Sequence, residues 1–140
     1  MNRKNAGWMN NAMLLCLLSL PMVLGCGGSS DMGRVKGVVT LDGQPVADAT
    51  VEFTPEGEGR PSTGMTDANG HYELAYSAKV NGAEIGRHNV KITTGGMKPD
   101  ESGNLVKVPE TIPAKYNKKS ELFVEVTSGG NSHDFPLQSQ

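Results

Sequence analysis

Cysteine and aromatic residues are scarce in this 140-residue chain. It has two cysteines, Cys16 and Cys26, and aromatic residues make up 5% of the sequence. The part that follows Cys26 has no cysteine with which to form an internal disulfide. A fold in that part must therefore depend on the burial of apolar side chains.

An excess of positive charge and a helical pattern are also missing. The chain has 13 lysines and arginines against 15 aspartates and glutamates, a net charge of −2. Proteins that bind nucleic acid present a basic patch to the phosphates, so the sequence predicts no nucleic-acid partner. After Cys26, no stretch shows a sustained apolar spacing of 3.6 residues, which excludes a helical bundle.

The one long apolar run lies near the N-terminus. Arg3 and Lys4 precede it, and residues 12–24 are apolar apart from Ser19 and Pro21. A run of about 13 residues fits the core of a secretory signal peptide, whereas a membrane-spanning helix needs about 20 residues. The run therefore predicts a cleaved signal rather than an anchor helix.

The residues that end this run indicate the kind of signal. Val23, Leu24, Gly25 and Cys26 match the lipobox of bacterial lipoproteins, with Leu24 standing where Ala or Ser is commoner. In that motif a small residue precedes the cut, and the Cys thiol receives a diacylglyceryl group before the peptidase acts. We expect a signal peptide of residues 1–25, cleavage between Gly25 and Cys26, and membrane contact through lipid on Cys26. The alternative is an ordinary secretory signal followed by an unrelated cysteine.

The mature chain would begin with a short tether. Residues 26–33 read CGGSSDMG, a composition typical of flexible linkers. The expected location is the periplasmic or cell-surface side of a membrane. Gly27 stands where an Asp retains many lipoproteins in the inner membrane, which favours the outer membrane.

Short alternating segments fill the rest of the chain. They are separated by turn residues, among them Asp42-Gly43 and residues 67–70. The predicted fold class is all-β: an antiparallel β-sandwich of about seven strands, prealbumin-like or Ig-like, forming one domain over residues 34–140. Strands are expected at 34–41, 49–55, 63–66, 71–76, 87–93, 121–126 and 132–137.

The inward positions of these strands define a predicted core. Residues 94–119 are too long for an ordinary connection and are predicted to be either functional or partly disordered, with a short extended piece at 105–108. The predicted core residues are Val35, Val39, Val51, Phe53, Tyr72, Leu74, Val90, Ile92, Leu122, Val124 and Phe135.

Three stretches carry a family resemblance. Residues 35–46 read VKGVVTLDGQPV, residues 64–72 read GMTDANGHY, and residues 85–92 read IGRHNVKI. They resemble the V-x-G-x-V opening, the T-D-x-x-G-x-Y hairpin and the P-G-x-Y-x-V-x-I strand of the carboxypeptidase regulatory-like domain, a transthyretin-like β-sandwich. In the third stretch, Ile85 replaces the usual Pro, and His88 or Asn89 the usual aromatic residue. The resemblance covers residues 34–93, and residues 122–137 would complete the sandwich.

This resemblance implies a fold and a location in the cell envelope. Small bacterial lipoproteins built on the domain often carry an I-P-x-K-Y-N stretch, which here is residues 112–117. The domain is usually an accessory module, and the peptidase that it accompanies is absent from this chain. We therefore expect a non-catalytic binding or structural module of the cell envelope, with no cofactor. Its partner, an envelope protein or a polysaccharide, is not identified by the sequence.

The main alternative is a hydrolase of transthyretin-like fold with an unrecognised site. Arg87, His88 and His71 have the residue types that such hydrolases use, but the family's C-terminal Tyr-Arg-Gly-Ser signature is missing. His71, His88 and His133 lack the close spacings of local metal sites, so no metal is expected.

Other polar and aromatic residues are expected to have structural roles. Asp67 and Asn69 suggest a turn rather than a calcium loop. Tyr72 and Tyr76 are expected in the core, and Tyr116 as a corner tyrosine whose hydroxyl bonds to backbone. The lysines around Tyr116 suggest either a solvated loop or a contact for an anionic polymer or lipid head group; they are Lys115, Lys118 and Lys119.

Replacement of the lipobox cysteine tests the predicted processing. We expect Cys26→Ser to abolish lipid attachment and leave uncleaved precursor, because the thiol is the lipid acceptor. Metabolic labelling with a palmitate analogue measures this. Labelling of the variant equal to that of the wild type would contradict the prediction.

Overall fold

A computed structural model describes residues 31–140 of the chain as an all-β sandwich, as the sequence predicted. The signal peptide, Gly25, Cys26 and tether residues 26–30 lie outside the described residues. Within residues 31–140 no helix is long and apolar enough to cross a membrane. The only helical segment there is a 3₁₀ turn at Ala114–Tyr116.

Strands are shorter and more numerous than predicted, since several consist of two or three residues. The first begins at Met32, two residues earlier than expected. In chain order they are β1 (Met32–Leu41), β2 (Gln44–Pro45), β3 (Thr50–Pro55), β4 (Ser62–Met65), β5 (His71–Glu73), β6 (Ala75–Ser77), β7 (Val80–Asn81), β8 (Ala83–Glu84), β9 (Gly86–Thr93), β10 (Gly96–Pro99), β11 (Leu105–Val108), β12 (Leu122–Val126), β13 (Gly129–Ser132) and β14 (Phe135–Leu137).

The first sheet is built around the long strand β1. It pairs antiparallel with β2, β5 and β8 on one side. On the other side β13 and β14 pair with it in parallel, so this sheet is mixed, whereas the predicted antiparallel pairing holds in the rest of the sandwich. The Ser-Gly-Gly-Asn composition of residues 128–131 predicts a turn, but Gly129 and Gly130 pair with Gly33 and Arg34 instead, and the Asn131 amide donates to the Arg34 carbonyl at 3.1 Å.

Gly37 makes one of these contacts possible. A Cβ at this position would overlap the His133 carbonyl, which lies against the β1 backbone. The His133 N–H also donates to the Lys36 carbonyl at 2.9 Å. Gly37 therefore permits the C-terminal segment to run close beside β1.

The second sheet has the order β12-β9-β3-β4-β6-β7 and is antiparallel throughout. Strands β3 and β9 form its centre, with Val51 opposite Ile92 and Phe53 opposite Val90. A separate two-stranded hairpin of β10 and β11 extends from the end of β9. It occupies part of the long segment 94–119, which is therefore ordered in large part.

The core between the sheets contains most of the predicted residues. Leu122 and Val124 are only partly buried, because β12 is an edge strand, and its Val126 is the fully buried member. Five further apolar residues are buried that the predicted core list did not name: Ala49, Ala83, Ile112, Val126 and Leu137. The buried apolar set is Val35, Val39, Ala49, Val51, Phe53, Tyr72, Leu74, Ala83, Val90, Ile92, Ile112, Val126, Phe135 and Leu137.

Both predicted turns are present. Asp42 and Gly43 have φ values of 51° and 81°, the left-handed conformation that a tight hairpin between β1 and β2 requires. The Asp67 carboxylate accepts from the N–H groups of Asn69 at 2.8 Å and His71 at 3.0 Å, and Gly70 has φ 78°. Asp67 therefore closes a turn, as predicted.

Strand β1 separates the two ends of the domain. We define the N-terminal end as Asp31 with residues 80–86 and 127–131, which meet through the Ile85 N–H to Asp31 carbonyl bond and the Gly33–Gly129 pair. We define the hairpin end as residues 42–48, 67–70 and 94–111. Ten residues of strand at about 3.3 Å each place these ends about 30 Å apart.

Truncation of Phe53 tests the packing of the two sheets. Its side chain is fully buried, and large core truncations cost about 3–5 kcal/mol. We expect Phe53→Ala to lower the free energy of unfolding by that amount in chemical denaturation followed by circular dichroism. Phe123→Ala is the matched control: Phe123 is 44% exposed, so we expect a loss below about 1 kcal/mol. Equal losses in the two variants would contradict this core.

Candidate functional site

Glu110 holds the base of the β10–β11 hairpin. Its Oε1 accepts from the Thr94 N–H at 3.0 Å, the Thr94 hydroxyl at 2.8 Å and the Ile112 N–H at 2.8 Å. Its Oε2 accepts from the Gly95 N–H at 3.2 Å. Partial burial raises the pKa of Glu110, but these hydrogen bonds outweigh it, and the pKa lies below its ordinary value. The carboxylate thus joins the two chain segments that enter and leave the hairpin.

The 112–117 stretch packs directly after this network. Ile112 is buried in the core, and the buried Asn117 amide donates to the Ile112 carbonyl at 3.0 Å. The Tyr116 hydroxyl accepts from the Gln138 N–H at 3.1 Å. The prediction of a corner tyrosine bonded to backbone is therefore confirmed, and the stretch ties the hairpin end to the C-terminal segment.

An apolar groove lies under the inner face of the hairpin. It has a volume of about 750 Å³ and lies between β10–β11, residues 44–48 and Met65. Leu41, Val46, Val106 and Val108 line it. The Lys98 ammonium spans the groove to donate to the Asp48 carbonyl.

A second cavity, the lysine pocket, lies on the outer side of the hairpin. It encloses about 490 Å³. Lys91 of β9, Lys107 of β11 and Lys118 line it together with Val108, Pro109 and Glu110. Of the three lysines around Tyr116, only Lys118 lies here. Lys115 instead donates to the Gln140 carbonyl at 2.8 Å and lies over the Tyr116 ring.

The structure does not bring His71, Arg87 and His88 together. His71 is exposed on β5, whereas His88 is buried beneath the second sheet, with its ring 5.9 Å from that of Phe53. Arg87 points to the opposite face of β9, where it lies 3.6 Å from Glu56 and over the Phe123 ring. Side chains of consecutive strand residues face opposite ways, so Arg87 and His88 cannot serve one site.

His133, Tyr72 and Tyr76 pack within the core or beside it. The His133 ring lies 6.0 Å from Phe53, and its carbonyl accepts from the buried Tyr72 hydroxyl at 2.7 Å. Tyr76, expected in the core, is only half-buried, because β6 lies near the edge of its sheet. The Arg60 guanidinium lies over its ring. Within residues 31–140 no three potential ligand side chains converge into a metal site.

The comparisons with known proteins add little to this geometry. No family model matches the chain, and no curated protein matches it. Among solved structures it is similar to a 9R-lipoxygenase from Cyanothece, with a TM-score of 0.39 and 14% identity over 74% of this chain and 17% of the other. It is also similar to a DUF3823 family protein from Parabacteroides merdae, with a TM-score of 0.40 and 13% identity over 76% of this chain and 44% of the other. The chain thus spans less than half of either protein.

Neither likeness carries a functional argument at these TM-scores and identities. The resemblance to the carboxypeptidase regulatory-like domain stays a prediction from the sequence motifs. The hairpin end, with its groove and pocket, is therefore assigned as the candidate site on geometry alone.

Protonation or replacement of Glu110 tests how the hairpin is held. A carboxylate whose pKa is lowered by folding stabilises the fold above its ordinary pKa and loses that effect as the pH falls through the folded value. We expect the hairpin base to loosen as the pH falls below the ordinary pKa of a glutamate and through the lower pKa of folded Glu110. We expect Glu110→Gln to loosen it already at neutral pH, because hydrogen bonds to a charged group are stronger than neutral ones.

Amide hydrogen exchange measures this effect. Exchange at Thr94, Gly95 and Ile112 should be about fivefold faster in Glu110→Gln. Exchange at Val51 and Ile92 should stay unchanged, since these residues lie in the centre of the second sheet. Glu121→Gln is the matched control. Unchanged exchange at all three hairpin amides would contradict the role given to Glu110.

Proposed function

We propose that the chain is a lipid-anchored lipoprotein of the cell envelope whose β-sandwich is a non-catalytic binding or structural module. Its hairpin end faces away from the membrane and receives the partner. The observation that carries this proposal is the position of the candidate site at the end of the domain opposite to Asp31, where the chain leaves toward Cys26.

Tether length supports this orientation. Residues 26–31 span at most about 20 Å when fully extended. A lipid on Cys26 would therefore keep the N-terminal end close to the membrane surface in any orientation. The hairpin end lies about 30 Å further along β1, beyond direct restraint by the tether.

The surface of the hairpin end suits a partner. Large apolar side chains are exposed there, namely Met97 at 60% and Leu105 at 66%, and Met65 beside the groove is 59% exposed. Exposed apolar side chains next to a groove are typical of interaction sites. Because His71, Arg87 and His88 lie apart, no observation supports the hydrolase alternative.

Fluorescence quenching in lipid vesicles tests the proposed orientation. Cys16 would leave with the signal peptide and Cys26 would carry lipid, so a new cysteine would be the only free thiol. We expect a dye on Ser128→Cys, at the N-terminal end, to be quenched by nitroxide-labelled lipid head groups. A dye on Ser102→Cys, at the hairpin tip, should be quenched much less.

The two positions make a matched pair, since both serines are exposed. Equal quenching at both, or stronger quenching at residue 102, would contradict the orientation. An absence of quenching at both positions would contradict the anchoring itself.

A further inference from the structure

The apolar groove separates the β10–β11 hairpin from the body of the domain, and both of its walls are apolar. Leu41, Pro45 and Val46 belong to the wall on the body, and Val106 and Val108 to the wall on the hairpin. Its volume of about 750 Å³ lies in the range of small-molecule sites, about 300–1,000 Å³. An apolar ligand in the groove is therefore covered from two sides.

Strand pairing determines which side chains the hairpin presents to the groove. Lys98 lies opposite Val106, and Gly96 opposite Val108, so these four positions share one face of the hairpin. Lys107 lies between the two valines and faces the other way, into the lysine pocket. The hairpin strands therefore present an apolar wall with one cation, Lys98, to the groove.

Hydrogen bonds hold the two walls apart. The Glu110 carboxylate fixes the base of the hairpin by accepting from the N–H groups of Thr94 and Ile112. Further along the hairpin, the Lys98 ammonium reaches across to donate to the Asp48 carbonyl. The groove is therefore formed before a ligand arrives, which lowers the ordering cost of binding.

Lys98 also limits what the groove can hold. An extended lysine side chain is about 6 Å long, so the hydrogen bond keeps the Lys98 Cα within about 9 Å of the Asp48 carbonyl oxygen. An inserted helix needs about 10 Å, and an inserted strand needs about 10 Å to the layer on each side. An unbranched acyl chain is much thinner. The groove therefore admits such a chain and excludes a helix or strand from the space that Lys98 spans.

The charge of Lys98 has no acidic partner. Its ammonium donates to a backbone carbonyl, and in the part of the chain that the structure describes it forms no ion pair. Hydrogen bonds between two charged groups are stronger than those to a neutral acceptor. A ligand with an apolar chain and an anionic head is therefore complementary to both the walls and the lysine.

We propose that the apolar groove binds a long-chain fatty acid, with its carboxylate on Lys98 and its acyl chain between the two walls. This proposal deepens the proposed function and rests on it only for the assignment of the hairpin end as a binding site. A lipid with two chains is too wide for the space beside Lys98, and a fatty alcohol has no charge to pair with the ammonium.

Photolabelling tests this proposal. The full-length protein, in vesicles of a neutral phospholipid, is irradiated with palmitate that carries a diazirine on its chain, and the labelled residues are identified by mass spectrometry. We expect labels at residues 41–48 and 105–109, the two walls of the groove. Unmodified palmitate in excess should abolish this labelling, whereas hexadecanol should not.

Substitutions on the two faces of the hairpin identify the head-group contact. We expect Lys98→Glu to lower labelling of the groove about fivefold or more, because an attractive contact becomes repulsive. Lys107→Glu is the matched control, since it makes the same change in charge on the opposite face, and it should label as the wild type does. Lys98→Gln keeps a donor for the Asp48 carbonyl but loses the charge, so labelling should fall, whereas Lys98→Arg should retain it.

Four results would overturn the proposal: unlabelled groove walls, equal competition by hexadecanol, wild-type labelling of both Lys98→Glu and Lys98→Gln, or equal weakening in Lys107→Glu. Unlabelled walls are the result expected if a protein partner covers the groove, and competition by hexadecanol would assign it to an uncharged ligand. Labelling does not require the anchor, because palmitate also equilibrates with water. A failure of the proposed anchoring would appear instead in the vesicle quenching experiment.

Discussion

The packing of Phe53 between the two sheets is the interaction on which the rest of the structure depends. This side chain of β3 is fully buried and contacts rings from both layers: His88 of the second sheet and His133 and Phe135 next to the first. The described domain has no cysteine and few aromatic residues. No covalent link therefore holds the sheets together, and the free energy comes from a small apolar core in which the largest side chain has the most contacts to lose.

Polar side chains hold the segments that lie outside the apolar core. Glu110 and Asn117 each bind several backbone groups at residues 94–95 and 112–113, which lie outside the strands, and Asn131 binds the carbonyls of Arg34 and Thr127. Buried or half-buried backbone groups are costly when unpaired, so these side chains fix loops that otherwise lack partners. The hairpin end is ordered by such bonds rather than by deep burial, which leaves its groove, its pocket and several apolar side chains accessible.

The division of the domain into two ends connects this architecture with the proposed role. Strand β1 is long enough to separate the N-terminal end from the hairpin end, and the proposed lipid tether would restrain only the former. Two kinds of surface meet beside the hairpin: an apolar groove on its inner side and a lysine-lined pocket on its outer side. A module of this design can present a binding surface without a catalytic group, because recognition needs exposed complementary surface rather than a buried base or nucleophile.

The sequence by itself determined the all-β class, the alternation of Val51, Phe53, Val90 and Ile92 toward a core, and the turns at Asp42-Gly43 and Asp67. These are local properties, since strand periodicity and turn conformation depend on neighbours along the chain. It also predicted the hydroxyl-to-backbone bond of Tyr116. Only the tertiary structure decided the parallel pairing of β13 and β14 with β1, the partial exposure of Leu122 and Val124 on an edge strand, and the convergence of Lys91, Lys107 and Lys118. Each of these depends on which distant segments become neighbours, and that choice is made by packing between sheets, which one-dimensional spacing does not encode.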